Sequence, residues 1–182
     1  MEAVISDEVV FLIKKMCVSL IVLLLIIFPV TIYGNDNETA KVYFPVGKSF
    51  YLIDGIQYPM DAVTYISENS NSIMVPIKYL VEATNMISPD GGLTTEWDNV
   101  TNTTILHGVP LRDVQFTAGE STVIVNGVSV PLLTADNLPA ISEIKGEAGH
   151  ERMYVPLRAF GAVVGLYNVD WDAGTQTAIL SW

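Results

Sequence analysis

The side chains best suited to catalysis or metal binding are few in this sequence. Its only histidines are His107 and His150, and its single cysteine, Cys17, lies in an apolar N-terminal segment. The rest of the chain therefore has no disulfide and no cysteine metal site. The histidines lack metal-ligand spacing, so we predict that both are solvated surface residues. No serine-hydrolase, zinc-protease or phosphate-loop motif occurs, and no carboxylate pair is singled out. The residues indicate no catalytic site, no metal and no cofactor.

The three tryptophans are candidates for ligand binding. Trp97, Trp171 and Trp182 could form aromatic platforms for sugar rings or peptides. Trp97 and Trp171, however, occupy matched positions of an internal repeat, and each precedes an aspartate that favours a turn. This match favours the alternative that their indoles cap the core. Trp182 has no counterpart in the first copy.

Two basic residues also occupy matched positions in the repeat. Lys78 and Arg158 both follow a Val-Pro pair by two residues. We predict that they lie along the surface and pair with Asp98 and Asp172, which is the common arrangement of such residues. Ligand binding by Arg158 is the alternative.

The C-terminal stretch 151–182 shows which elements position these residues. A short strand leads into Pro156, and proline is favoured in the first turn of a helix. The apolar residues that follow have helical spacing, and Gly165 is the expected end of the helix. Two strands joined by an Asp-Ala-Gly turn complete the unit. The predicted core residues of the two helices are Ile77, Leu80, Leu157, Phe160 and Val164.

The same pattern occurs earlier in the chain. Val75-Pro76 precedes Val155-Pro156 by 80 residues, and Trp97-Asp98 precedes Trp171-Asp172 by 74 residues. Two copies of one supersecondary unit explain both matches. Each copy also begins with a hairpin signal, Asp-Gly at 54–55 and Asn-Gly at 126–127.

These elements predict an α+β protein. It has two β-rich repeats, each an antiparallel sheet packed on one short helix. Each repeat alone is marginal for burial, so we expect the two to share one core. Residues 133–151 lie between the second hairpin and its following strand, and we predict a surface loop there, with a short helix around 140–145 as the alternative.

Val-Pro-Leu-Arg, the short apolar helix, Trp-Asp and the Thr-rich strand resemble the copper amine oxidase N-terminal-like domain, also called the stalk domain. The resemblance covers roughly residues 42–182 and implies tandem units of a kind found in secreted bacterial proteins. The first copy departs from the usual pattern, because Lys78 replaces the arginine. The resemblance implies a scaffold rather than a chemistry.

The oxidase chemistry itself is not implied. The catalytic domain of a copper amine oxidase needs three histidines and a tyrosine in an Asn-Tyr-Asp or Asn-Tyr-Glu setting. This chain has two histidines and no Asn-Tyr pair. The resemblance therefore carries over neither a copper site nor an enzyme activity.

The N-terminus predicts export. Lys14 and Lys15 precede an apolar run over 16–33, which is typical of a signal peptide or an N-terminal membrane anchor. Everything that follows is then extracytoplasmic, either secreted or anchored to the membrane by this segment. The predicted divisions are 1–34 signal peptide or anchor, 35–41 linker, 42–110 first repeat and 111–182 second repeat.

Charge narrows the choice of partners. The formal net charge is −11, and it remains −10 when residues 1–34 are removed with their two lysines and three acidic residues. Such an excess of negative charge argues against nucleic acid and anionic lipid as partners.

We expect a non-catalytic binding or spacer module of the bacterial cell envelope, whose partner is a cell-wall polymer or another envelope protein. The alternatives are a glycan-binding module that uses exposed aromatics and, less favoured, a secreted hydrolase or amine oxidase.

Overall fold

The computed structural model describes residues 40–88, 92–108, 113–146, 150–165 and 168–181. They belong to one compact unit, Glu38–Trp182. The predicted export segment, most of the linker and Trp182 lie outside the described residues. Among the residues that are described, no helix has the length and apolar character needed to cross a membrane.

The order of elements is the same in the two halves of the chain. The first half contains β1 (Lys41–Pro45), β2 (Phe50–Ile53), β3 (Ile56–Pro59), β4 (Tyr65–Ile66), β5 (Ile73–Pro76), α1 (Ile77–Ile87), β6 (Thr94–Asp98) and β7 (Thr103–His107). The second half contains β8 (Asp113–Thr117), β9 (Thr122–Val125), β10 (Val128–Pro131), β11 (Glu143–Lys145), β12 (Arg152–Pro156), α2 (Leu157–Val164), β13 (Asn168–Asp172) and β14 (Thr177–Ser181). The α+β class is confirmed.

The strands form three antiparallel sheets, which are shared between the halves. Their strand orders are β13-β14-β1-β2-β3, β10-β9-β8-β7-β6 and β11-β12-β5-β4. Each repeat was expected to have its own sheet, but β1 pairs with β14 and β7 pairs with β8. The physical reason is edge pairing. An unpaired β1 or β8 would leave a row of N–H and C=O groups open, and the closing hairpin of the other half satisfies them.

The central sheet is symmetric about one residue pair. Val75 of β5 lies opposite Val155 of β12, and these are the matched valines of the two copies. Both valines belong to the main hydrophobic core, together with the buried faces of the helices. Because alternate residues of a strand point to opposite faces, Met74 and Tyr154 lie on the other face. That second face carries the candidate site.

The helices bury the residues that their spacing predicts. Leu80 and Phe160 are 0% exposed, and the other three predicted core residues are also buried. One apolar cluster includes residues from both halves. Pro156 does not occupy the first turn as predicted. It is the extended N-cap residue, because it is still paired with Met74 in the sheet. Gly165 ends α2 with a left-handed backbone, as expected.

The alternative of a short helix around 140–145 is wrong. Residues Glu143–Lys145 instead form β11, which pairs with β12 at one edge of the central sheet. Ala140 and Ser142 just before it are fully buried, so this part of the predicted surface loop is packed against the protein. Backbone pairing with β12 satisfies the N–H and C=O groups that a helix would have satisfied locally.

Candidate binding cleft

A cleft of about 810 Å³ lies on the open face of the central sheet. We call it the central cleft. Residues 61–63 and 65–69 of the first half form one wall. The opposite wall comes from the second half and contains Glu143, Lys145, Gly146, His150, Arg152 and Tyr154. The cleft thus exists only because β4 and β11 flank one sheet.

An ion pair crosses one end of the central cleft. Arg152 donates two hydrogen bonds to Asp61, from Nε to Oδ1 at 3.1 Å and from Nη2 to Oδ2. Tyr79 of α1 donates from its hydroxyl to Asp61 Oδ1 at 2.7 Å, and the backbone N–H of Asp61 donates to the same hydroxyl at 2.8 Å. Two hydrogen bonds lower the pKa of Asp61 to about 2, and the one from Arg152 contributes more than the one from Tyr79. The carboxylate is therefore charged near neutral pH, and it accepts hydrogen bonds from both side chains.

A second network joins the two edge strands. The Tyr65 hydroxyl of β4 donates to Glu143 Oε2 of β11 at 2.8 Å, and Ser67 Oγ donates to Glu143 Oε1 at 3.3 Å. Lys145 Nζ lies 3.5 Å from Glu143 Oε2 and 3.6 Å from the centroid of the Tyr65 ring. The Tyr65 ring meets that of Tyr154 edge to face, with centroids 5.0 Å apart.

Burial keeps both tyrosines of this network neutral. It is the main cause of the raised pKa of Tyr65, and the neighbouring Glu143 raises that pKa further. Burial also raises the pKa of Tyr154. A neutral phenol donates and accepts hydrogen bonds but is a poor base or nucleophile. Neither phenol is therefore set up as a base or a nucleophile near neutral pH.

The backbone of Gly146 shapes the second wall. Its φ is +138°, and a Cβ at this position would lie 2.5 Å from the carbonyl oxygen of His150. Only glycine fits so close an approach. His150, against which Gly146 packs, and Arg152 line the same wall of the cleft as Lys145.

The histidines do not come together. His107 is half exposed on β7, where its Nδ1 lies 3.1 Å from Asp113 Oδ1 and its Nε2 lies 3.5 Å from Glu96 Oε2. His150 is exposed at the wall of the central cleft. Across the described residues, no group of three or more histidine, cysteine, aspartate or glutamate side chains could hold a metal ion.

Trp97 and Trp171 lie in two further grooves. Each is 41% exposed and neither is among the buried core residues, so their favoured role as caps of the core stays a prediction. Trp171 lines a groove of about 240 Å³ with Ile66 and Arg158. Trp97 lines one of about 490 Å³ with Ile144 and Arg152, among others. Ile66 and Ile144 occupy corresponding edge positions of the central sheet, so the two grooves are related by the internal symmetry.

The predicted pairing of Lys78 and Arg158 with aspartates is wrong. Lys78 pairs with Glu82 at 3.9 Å, and Arg158 Nη2 donates to the carbonyl of Val169 at 3.2 Å. Asp98 and Asp172 accept hydrogen bonds within their own turns instead. Such short-range hydrogen bonds form more readily than an ion pair between long exposed side chains.

Sequence reasoning missed the central cleft, although the repeat contained a signal for it. The matched positions Val75/Val155 and Trp97/Trp171 are identical. The strand register makes Tyr65 correspond to Glu143, because Tyr65 pairs with Met74 and Glu143 pairs with Tyr154. Those cleft positions differ between the copies. Differences at equivalent positions of a shared scaffold would have pointed to this face.

Comparison with known proteins identifies the scaffold. The family described as the copper amine oxidase N-terminal domain matches residues 52–180 in a single alignment that crosses both halves. No curated protein and no solved structure matches the chain. The domain that this family describes is the non-catalytic one of those oxidases. The presence of two tandem family units stays a prediction. The chain belongs to the copper amine oxidase N-terminal domain family.

Proposed function

We propose that this protein is a non-catalytic, extracytoplasmic binding or spacer module of the cell envelope, and that the central cleft is its binding surface. The observation that carries the proposal is the pair of polar networks that cross the cleft, Asp61–Arg152 and Tyr65–Glu143. Both join the two halves of the chain, so the cleft is held in shape before a ligand arrives. Preorganised polar groups reduce the entropy that binding costs.

The same networks argue against an enzyme. Asp61 and Glu143 each accept hydrogen bonds from two side chains, so neither is a free general base. The phenols of Tyr65 and Tyr154 have raised pKa values, which removes them as bases near neutral pH. Groups that are mutually satisfied in this way can recognise a ligand through their remaining hydrogen-bonding capacity.

Co-sedimentation with purified cell wall and capture of envelope proteins test the proposal. Glu143→Ala should reduce binding, because it removes the acceptor that orients Tyr65 and Ser67. Glu96→Ala is the matched control, since it removes the same charge from an exposed position on β6. Equal binding by the two variants, or no binding by the native protein to either preparation, would contradict the cleft as the binding surface.

Glycan binding through the two tryptophan grooves is the second candidate function. It is favoured by one observation, the equal 41% exposure of Trp97 and Trp171 in symmetry-related grooves. Exposed indoles stack on sugar rings, and two related platforms suit a repeating polymer. The double variant Trp97→Ala and Trp171→Ala should then lose cell-wall binding while Glu143→Ala keeps it. The reverse result supports the central cleft.

The amine oxidase alternative has its own test. His107→Ala combined with His150→Ala removes every imidazole in the chain. We expect the double variant to fold as the native protein does, because neither imidazole is buried. Stoichiometric copper in the native protein that is lost in the double variant, together with amine oxidation, would establish the enzyme instead.

Export rests on Lys14, Lys15 and the apolar run that follows them. A reporter fused after the last residue should be active only outside the cytoplasm. Activity inside the cytoplasm would contradict the extracytoplasmic assignment, and with it any envelope role.

A further inference from the structure

Lys145 occupies a niche that is shaped for an ammonium group. Its Nζ lies 3.6 Å from the centroid of the Tyr65 ring and 3.5 Å from Glu143 Oε2. An aromatic face beside a carboxylate is how proteins hold organic cations. We call these two groups, the Tyr65 ring and the Glu143 carboxylate, the cation niche.

The cation niche does not depend on Lys145 for its shape. Tyr65 is oriented by its hydrogen bond to Glu143 and by its edge contact with Tyr154. Glu143 is held in addition by Ser67. The side chain of Glu143 is only 22% exposed, whereas that of Lys145 is 51% exposed. Lys145 can therefore leave the niche while the ring and the carboxylate stay in place.

Charge favours a second cation once Lys145 has left. The cleft wall also carries Asp61 and Glu68, and its other cation, Arg152, is committed to Asp61. Displacement of Lys145 leaves Glu143 without a cationic partner on this face. The net charge of −11 adds an attractive field for positively charged ligands.

We infer that the cation niche recognises a lysine-type alkylammonium side chain carried on a peptide, and that Lys145 is an internal competitor for it. The inference rests on the proposed binding role of the central cleft. A volume of about 810 Å³ far exceeds that of an alkylammonium group, so the rest of the cleft receives the backbone of the ligand. Val63 and Ile66, both partly exposed in the lining of the same cleft, supply apolar contacts for the ligand.

The first test removes the competitor from the full-length protein. Lys145→Ser introduces the residue that Ser67 supplies at the corresponding position of the first copy. The control Lys48→Ser makes the same change of charge at an exposed site outside the cleft. We expect the blocked peptide acetyl-Gly-Lys-Gly-amide to bind Lys145→Ser about fivefold more tightly than the native protein, a gain typical of one exposed cation–π contact. The control should match the native protein.

The second test shows that the gain belongs to the ammonium group. The same peptide with norleucine in place of lysine keeps the carbon chain and loses the charge, and it should show no gain. Adding Glu143→Gln to Lys145→Ser should also remove the gain. Lys145→Gln, which keeps the first two methylene groups of the side chain, serves as a second release variant if Lys145→Ser folds poorly.

Three outcomes would overturn the inference. These are equal peptide affinity for Lys145→Ser and the native protein, an equal gain with the norleucine peptide, and an equal gain for Lys48→Ser. If cell-wall or envelope-protein binding still depends on Glu143 in that case, only the ammonium inference fails and the proposed function stands. If the lysine peptide displaces the protein from purified wall, the wall is the source of the ligand. If the lysine peptide displaces the protein only from a captured envelope protein, that envelope protein is the source of the ligand instead.

Discussion

Asp61 is a carboxyl group whose charge state is controlled by the fold. Arg152 and Tyr79 both donate to its carboxylate, and these hydrogen bonds lower its pKa to about 2. A depressed carboxyl pKa means that the charged form stabilises the folded protein above the ordinary carboxyl range. That contribution is lost as the pH falls from about 4 towards 2.

Asp61→Asn should therefore flatten the acid dependence of stability. We expect the variant to melt at a lower temperature than the native protein at pH 5 to 7, because the charged hydrogen bonds from Arg152 are gone. The difference should narrow towards pH 2, where the native carboxyl is also becoming neutral. Melting temperatures between pH 6 and 2 measure this. Asp170→Asn, an exposed carboxylate on β13, is the control, and an equal effect of both changes would contradict the prediction.

Gly146 is the second residue whose role is specific. Gly146→Ala combines an unfavourable φ of +138° with a Cβ 2.5 Å from the His150 carbonyl oxygen. Backbone strain of this kind costs about 1–3 kcal/mol, and the close contact adds to it. Urea unfolding should show a larger loss of stability than Gly119→Ala, where φ is +84° and the added Cβ would meet nothing within 4 Å. Equal losses of stability in the two variants would contradict the prediction, because the backbone at His150 would then move away from the added Cβ at no cost.

At the scale of elements, the two helices are held by large buried side chains. Phe160→Ala should cost about 3–5 kcal/mol and Leu80→Ala about 2–5 kcal/mol, because each leaves a cavity where the native side chain is 0% exposed. Lys78→Ala and Arg158→Ala, on the exposed faces of the same helices, should each cost under about 1 kcal/mol. Chemical denaturation measures all four. If replacing the charged residues lowers the stability more than replacing the buried ones, the assignment of the buried and exposed helical faces is wrong.

For the whole molecule, the interleaved sheets predict one cooperative unfolding transition. The pairing of β1 with β14 and that of β7 with β8 can break only if sheets that contain strands of both halves open. Leu80→Ala and Phe160→Ala should consequently shift the same single transition, although they lie in different copies of the repeat. Calorimetry of the two variants checks this. Two transitions, each moved by only one variant, would show that the halves unfold independently.

The sequence by itself determined the local features of this protein. Both hairpin turns have positive φ at their two central residues, at Asp54-Gly55 and at Asn126-Gly127, as the dipeptides predict. The left-handed Gly165 and the buried helical faces were equally readable. Each of these depends on backbone preferences or hydrophobic spacing within a few residues, and such information is present in any short stretch of chain.

Only the tertiary structure decided which strands pair and where the cleft lies. Hydrogen-bond ladders are formed by backbone groups that every residue carries, so the sequence of β1 does not specify β14 over the strands of its own copy. The cleft depends on contacts across the chain, with Tyr65 and Glu143 78 residues apart and Asp61 and Arg152 91 residues apart. Side chains at such separations meet because the core of both halves closes around Val75 and Val155, which no local pattern encodes.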